Sequence, residues 1–346
     1  MVVIHIKIDS YISMILEKLI LFLSLFLLTS CSAGGSANSN TVDEETADSS
    51  AEGSAVVKQE PKVAFNADSC YNFMQKQVDF GYRIPSTKEH KECGKYLVST
   101  LERFADTVIT QDVTLKAYNG TKLESRNIIA SWNPKSKNRI MLCAHWDTRP
   151  FCDEDPNASN HKKPVLGAND GASGVGVLLE LARQFAVQRP NVAVDIILFD
   201  SEDYGHSDHH NSYCLGSQYW ALNPHVPRYN ARFGILLDMV GGKGARFAKD
   251  LISSFYAGEV LDSVWQTAAS LGYGSLFVNE EGGSLIDDHY YVNKMIGIPC
   301  IDIIDYTNDE GFPSTWHTVN DTMENIDKEV LKAVGNVLIT YIYNLK

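Results

Sequence analysis

The sequence predicts an α/β fold, a three-layer sandwich in which helices flank a central mixed, mostly parallel β-sheet. Two observations carry this prediction. Short apolar runs with the composition of buried strands, such as 192–199, alternate with segments of helical spacing, such as 174–188. Acidic and histidine side chains follow directly after several of the strand-like runs, at the position where open α/β sheets bind their ligands.

Each predicted element rests on the spacing of its apolar side chains. Apolar residues that recur every three or four positions predict helices, and short, nearly continuous apolar runs predict buried strands. In chain order these patterns predict helices over 70–80 and 88–104, strands over 127–132 and 139–143, a helix over 174–188, strands over 192–199, 233–238 and 298–304, and an amphipathic closing helix over 327–343. The Asn-Pro-Lys turn between the first two strands predicts that they pair as a β-hairpin.

The amino-terminal residues have the pattern of an export signal. Lys18 precedes an apolar run over 19–28 that is too short to span a bilayer. Leu28-Thr29-Ser30-Cys31 then resembles the lipobox of bacterial lipoproteins, in which the cysteine is acylated. We therefore expect residues 1–30 to be a lipoprotein signal peptide. The mature protein would be an exported bacterial lipoprotein, facing the periplasm or anchored in the outer membrane, that meets the membrane only through Cys31. A cleaved secretory signal with an incidental cysteine is the alternative.

Residues 31–62 have the composition of a tether. They contain small, polar and acidic side chains and almost no large apolar ones. Such a segment cannot bury enough surface to offset the entropy of ordering its backbone, so we interpret it as a disordered acidic and Ser-rich linker. The remaining residues, 63–346, fall within the size of one large α/β domain. We expect them to form a single catalytic domain that acts as a monomer.

The net charge restricts the class of partner, and the cysteine spacing restricts the kind of metal site. The net charge is −13 and no cluster of Lys and Arg is present, which argues against nucleic acid or an anionic membrane surface as the main partner. None of the cysteines has the C-x-x-C spacing of a metal site. Cys143 and Cys300 lie in strand-like runs and are predicted to be apolar core thiols.

Side chains of the metal-ligand type accompany several of the predicted strands. One such residue alone is usually a turn or surface group, whereas several in this order predict a site. The set is His145, Asp170, the adjacent acids Glu202 and Asp203, Asp238, and His317. Histidine mixed with carboxylate is zinc-ligand chemistry, and a catalytic zinc keeps three protein ligands and one open position. Because adjacent side chains of an extended segment point to opposite sides, Glu202 and Asp203 are expected to differ in role.

The order of these motifs resembles the zinc aminopeptidase clan and, within it, the glutaminyl cyclases. H-x-D at 145–147, N-D-G at 169–171, the acid pair at 202–203, Asp238, D-H at 288–289 and W-H-T at 316–318 carry the resemblance, which extends over 127–346. The resemblance implies the zinc aminopeptidase type of α/β sandwich. One departure is the pair Glu202-Asp203, where animal cyclases have two glutamates.

The resemblance also implies a role for each site residue. Asp170, Asp203 and His317 would bind one Zn²⁺ per chain, and Glu202 would act as general base and acid. Asp238 and Asp287 would be the hydrogen-bonded acids that complete the catalytic site, and Trp316 would form the aromatic wall of the substrate pocket. The implied reaction is cyclisation of an amino-terminal glutamine of a peptide or protein to pyroglutamate, with release of ammonia.

A two-zinc aminopeptidase that removes amino-terminal residues is the alternative. In that case His145 and Asp238 would hold the second ion, and counting ligands leaves both readings open. The sequence Ile286-Asp287-Asp288-His289 favours the cyclase, because aminopeptidases of the clan usually carry Ser-Asp-His there and Asp287 adds an acid. A third possibility, a domain that binds peptide amino termini without converting them, fits poorly because such a domain would not need the acid at Glu202.

Overall fold

A six-stranded mixed sheet forms the centre of the described chain, and helices cover both of its faces. The computed structural model describes residues 63–346 and the backbone of Val2 and Val3. The predictions for the signal peptide (1–30) and the tether (31–62) therefore lie outside the described residues, apart from Val2 and Val3. Within 63–346, no helix combines the length and apolarity that crossing a bilayer requires.

The helices and strands alternate along the chain as predicted for an α/β protein. They are β1 Val2–Val3, α1 Ala67–Val78, α2 Lys88–Leu101, β2 Thr107–Lys116, β3 Lys122–Trp132, β4 Arg139–His145, α3 Ala172–Val187, β5 Ala193–Phe199, α4 Leu215–Leu222, β6 Gly234–Asp238, β7 Phe247–Lys249, α5 Leu251–Ser270, β8 Phe277–Glu281, β9 Leu285–Ile286, α6 Asp288–Tyr291, β10 Cys300–Ile304 and α7 Lys328–Tyr343. A π-helical turn at Val292–Ile296 continues α6. The predicted helices and strands are all present, with ends that differ by a few residues.

The strand order in the sheet is β10-β6-β4-β5-β3-β2. Strands β10, β6, β4 and β5 run parallel to one another. Strand β3 pairs antiparallel with β5, and β2 pairs antiparallel with β3. The predicted mixed, mostly parallel sheet within an α/β sandwich is confirmed.

The predicted hairpin between β3 and β4 is wrong. Strand β5 lies between them, pairing parallel with β4 and antiparallel with β3. The strand that forms a hairpin with β3 is instead β2, which is absent from the elements predicted from the sequence. Strand β2 is half exposed along its length at the edge of the sheet, so its polar sequence lacks the apolar run of a buried strand.

The sheet is buried on both faces because its central strands are apolar throughout. In β4, Ile140, Leu142 and Ala144 belong to the core on one face, and Met141 and Cys143 belong to the core on the other. Cys300 lies in that second cluster, and the six cysteines of residues 63–346 are buried and free. The prediction that Cys143 and Cys300 are core thiols is confirmed.

The parallel strands bring the predicted site residues together at the carboxyl ends of the strands. His145 ends β4, Asp238 ends β6, and Glu202 follows the end of β5 by three residues. Gly171, in the N-D-G motif before α3, has φ +101°, and a Cβ there would lie 2.6 Å from the carbonyl oxygen of Asp147. Only glycine fits this close approach, which holds the N-D-G segment against the H-x-D segment.

Candidate metal centre and proton-transfer site

Asp170, Asp203 and His317 come together from three separate segments. All three side chains are buried, and one ligand atom from each lies within 4.8 Å of the others. His317 Nε2 is 3.3 Å from Asp203 Oδ1 and 3.5 Å from Asp170 Oδ2. The structure thus places together the three residues predicted to bind zinc.

The separations between these atoms fit a tetrahedral zinc ion. Zinc bond lengths to histidine nitrogen and carboxylate oxygen predict ligand atoms about 3.4 Å apart, close to both distances from His317 Nε2. Asp203 Oδ2 is buried without a hydrogen-bond partner among the described residues. Burying an unpaired carboxylate oxygen costs free energy of folding unless a cation or a proton binds to it. The donor set therefore fits the metal that the sequence implies.

Charged neighbours orient two of these ligands. Asp153 Oδ1 lies 3.4 Å from His317 Nδ1, which directs Nε2 toward the ligand group. Arg149 Nη1 donates to Asp203 Oδ1 at 3.2 Å. Burial pushes the pKa of Asp203 upward, but His317 and Arg149 outweigh it and lower that pKa to about 2. Asp203 is therefore held as a carboxylate, the form that binds metal.

Two further aspartates fix the backbone that carries the ligands. Asp147 accepts hydrogen bonds from the backbone N–H of Glu202 at 3.0 Å and of Asp203 at 3.2 Å. Asp321 accepts from the backbone N–H of Asp170 at 3.0 Å. Asp147 belongs to the H-x-D motif, but no role could be predicted for it from the sequence. Asp321 lies in the loop after His317, and no sequence pattern marks it as a site residue.

His145 and Asp238 form a neighbouring group that shares Asp170 with the first. His145 Nε2 lies 3.0 Å from Asp170 Oδ1 and 3.2 Å from Asp238 Oδ1. Burial lowers the pKa of His145, but the carboxylates of Asp147, Asp170 and Asp238 outweigh it and raise that pKa well above its usual range. A protonated His145 at hydrogen-bonding distance supplies a positive charge between these carboxylates.

Glu202, next to Asp203 in the chain, contacts a thiol and lies near a second acid. Cys214 Sγ is 3.3 Å from Glu202 Oε1, and a carboxylate oxygen of Asp287 lies within 4.8 Å of both. Burial, reinforced by the charges of Asp203 and Asp287, raises the pKa of Glu202 well above its usual range. Burial also raises the pKa of Asp238 to about 7, with Asp170 adding to the shift and His145 opposing it. Glu202 and Asp203 thus face different neighbours, as the sequence predicted.

Trp316 stacks directly on the histidine of the ligand group. Its ring centroid is 3.9 Å from that of His317 and 4.2 Å from that of Phe312. Trp316 is only partly buried. Trp316 thus lies beside the ligand group, and its role as the wall of a substrate pocket stays a prediction.

Four of the eight non-glycine residues with positive φ in the described part of the chain lie at or next to the site. Among the non-glycine residues with left-handed backbone conformation are Ser201 (φ 56°), Cys214 (φ 58°), Met239 (φ 51°) and His317 (φ 53°). Each of them is a site residue or lies next to one in the chain or in space. Such conformations persist where the surrounding structure fixes them, and they occur preferentially at functional sites.

The family profile described as Peptidase family M28 matches residues 127–342. A solved Zn-dependent exopeptidase from Parabacteroides distasonis is 51% identical, with 82% of this chain and 99% of that chain covered and a TM-score of 0.81. A solved glutaminyl cyclase from Bacteroides thetaiotaomicron is also 51% identical, with the same shares covered and a TM-score of 0.80. A glutaminyl-peptide cyclotransferase from Bos taurus is 24% identical over 290 residues, which are 75% of this chain and 77% of the relative.

Proposed function

The chain belongs to peptidase family M28, and on that premise we propose that it is a zinc-dependent glutaminyl cyclase. Its substrates are peptides or proteins with an amino-terminal glutamine, which it converts to pyroglutamate with release of ammonia. Similar structures carry both exopeptidase and cyclase names, so the site residues must decide between them. The observation that carries the proposal is Asp287, an acid that lies beside Glu202 where the hydrolases of the clan usually have serine.

The reaction needs one group that accepts and then returns a proton. The α-amine nitrogen forms a bond to the side-chain amide carbon, and the bond from that carbon to the amide nitrogen breaks. Glu202 takes a proton from the amine and delivers it to the departing nitrogen, which leaves as ammonia. A carboxyl group whose pKa is raised by burial and by neighbouring acids suits this double role.

The ligand group supplies the complementary charge. Asp170, Asp203 and His317 would hold Zn²⁺, which when bound acts as a Lewis acid toward the amide carbonyl oxygen. Asp147 binds the backbone of both Glu202 and Asp203, so the proton-transfer group and a metal ligand are fixed relative to each other. Ring closure within one substrate molecule gains further from proximity of the reacting atoms.

Two products distinguish the cyclase from the aminopeptidase. Purified protein incubated with a glutaminyl dipeptide should release ammonia and leave the peptide bond intact. Release of free amino-terminal glutamine without ammonia would refute the proposal and favour the hydrolase. The assay reads the reaction itself and does not depend on assigning any residue.

His145→Ala is expected to retain one zinc per chain. Asp170, Asp203 and His317 remain in place, and in the cyclase His145 acts as a charged hydrogen-bond donor rather than as a metal ligand. Zinc measured per chain after dialysis tests this, with His206→Ala in an outer loop as the matched histidine control. Two zinc ions in the wild type and one in His145→Ala would contradict the one-ion assignment.

We further infer that the protein is a lipoprotein anchored through Cys31, on the basis of the sequence Leu28-Thr29-Ser30-Cys31 and the polar segment that follows. Two acyl chains give stable membrane anchoring where one does not. In the native cell, Cys31→Ser should move the enzyme from the membrane fraction to the soluble fraction, with ammonia release per molecule unchanged. A wild-type protein found in the soluble fraction would contradict the anchor.

A further inference from the structure

The thiol of Cys214 is a buried group of the metal-ligand type that the proposed mechanism does not use. Its Sγ lies 3.3 Å from Glu202 Oε1 and 4.0 Å from Asp287 Oδ1. Cys214 is fully buried, and Asp287 is 1% exposed. A thiol thus lies close to both the proton-transfer group Glu202 and its neighbouring acid Asp287.

The backbone fixes the thiol in this place. The chain leaves the site after Glu202 and returns at Cys214, where the Cys214 N–H donates to Glu202 O at 2.8 Å. The next residue, Leu215, donates its N–H to Ser201 O at 3.0 Å. Cys214 itself has a left-handed conformation with φ 58°. Two backbone hydrogen bonds and a constrained dihedral angle therefore set the position of the side chain.

The three side chains offer the donor atoms of a metal site. Zinc bond lengths to thiolate sulfur and carboxylate oxygen predict a sulfur-to-oxygen separation of about 3.6 Å in a tetrahedral site. The observed separations of 3.3 and 4.0 Å bracket this value. Asp287 Oδ2 is also buried without a hydrogen-bond partner among the described residues, so one carboxylate oxygen is still available.

We propose that Glu202, Cys214 and Asp287 form a second, inhibitory site for thiophilic divalent cations such as Cd²⁺ or excess Zn²⁺. Binding replaces the Cys214 S–H proton by the metal, and that proton passes to solvent. The cation also occupies the carboxylate of Glu202. The inhibitory effect rests on the proposed function, because a coordinated Glu202 can no longer accept a proton from the substrate amine.

The thiolate gives this site a chemical signature that the first site lacks. Asp170, Asp203 and His317 provide only nitrogen and oxygen donors, as do His145 and Asp238. Of the ligand-type groups within residues 63–346, the group of Glu202, Cys214 and Asp287 is the one that contains a cysteine. Soft thiolate ligands favour soft cations, so cadmium bound here produces a cadmium–thiolate charge-transfer band in the ultraviolet.

The test is a Cd²⁺ titration of the zinc-loaded full chain, with absorbance read in the absence of substrate and ammonia release measured in parallel at the same Cd²⁺ concentrations. All proteins carry Cys31→Ser, which removes the cysteine outside the described residues. We expect one equivalent of Cd²⁺ to produce the band, and the same concentrations to inhibit ammonia release while the bound zinc is retained. Cys214→Ser, which keeps a hydroxyl donor near Glu202, should lose the band and raise the half-inhibitory Cd²⁺ concentration by at least about 100-fold.

Controls make each outcome decisive. Cys70→Ala removes a buried thiol in α1 and should leave both the band and the inhibition as in the parent. No band in the parent, a band that persists in Cys214→Ser, or loss of zinc as cadmium binds would overturn the metal site. A band that vanishes in Cys214→Ser while inhibition persists would overturn its inhibitory role. Because the band is read without substrate, an absence of cyclase activity would refute the proposed function and leave the test of the metal site intact.

Discussion

His317→Ala is expected to abolish ammonia release and to remove zinc from the protein. His317 Nε2 lies 3.3 and 3.5 Å from the two carboxylates that complete the ligand group, and a catalytic zinc with three protein ligands has none to spare. Asp170→Ala and Asp203→Ala should have the same effect for the same reason. Zinc per chain after dialysis, measured beside the rate of ammonia release, checks the prediction.

Backbone conformation must be separated from metal binding in this experiment. His317 has φ 53°, and a left-handed conformation costs roughly 1–2 kcal/mol for an ordinary residue such as alanine. His317→Asn is the second variant, because asparagine tolerates that conformation but lacks the imidazole. Both variants should lose zinc while keeping the circular dichroism of the folded protein. Near-full zinc occupancy in either would show that His317 is not a ligand.

The sequence predicted the fold where burial is reflected in composition. Strands β4 and β5 are covered on both faces, so their apolar runs identify them without any knowledge of their neighbours. Strand β2 is exposed along much of its length, which explains why it was not predicted. The pairing of β3 was misassigned because a turn shows that the chain reverses, but not which strand lies beside it.

The sequence shows which residues end buried strands but not which loops are neighbours in space, and this explains which site residues were predicted and which were missed. Asp238 could be found because it ends a buried strand, and Asp203 because it lies shortly after one, since the geometry of a parallel sheet brings such positions together. Cys214 reaches the site because an irregular loop returns to Glu202 through a backbone hydrogen bond. No periodicity encodes that return. Arg149 likewise acts through a contact with Asp203 that its position after β4 does not reveal.

Glu202→Gln is expected to remove most of the catalytic rate while leaving the metal centre intact. The glutamine side chain keeps the size and polarity of glutamate but cannot accept the proton of the attacking amine. Positioned acid–base groups typically contribute about 10² to 10⁴-fold in rate, so kcat for ammonia release should fall by that factor. The ligand side chains of Asp170, Asp203 and His317 are unchanged, and zinc per chain should equal that of the wild type.

Measuring kcat, KM and zinc content together distinguishes proton transfer by Glu202 from a role in orienting substrate or supporting the metal. If Glu202 mainly oriented substrate or supported the metal, its replacement would raise KM or lower zinc content. If it transfers the proton, kcat falls and both other quantities stay near the wild-type values. Glu310→Gln, which removes a carboxylate from an exposed loop, controls for the loss of one charge and should have wild-type kcat. Near-normal cyclisation by zinc-loaded Glu202→Gln would show that the proton passes through another group, and the buried acids Asp238 and Asp287 would then be the residues to replace next.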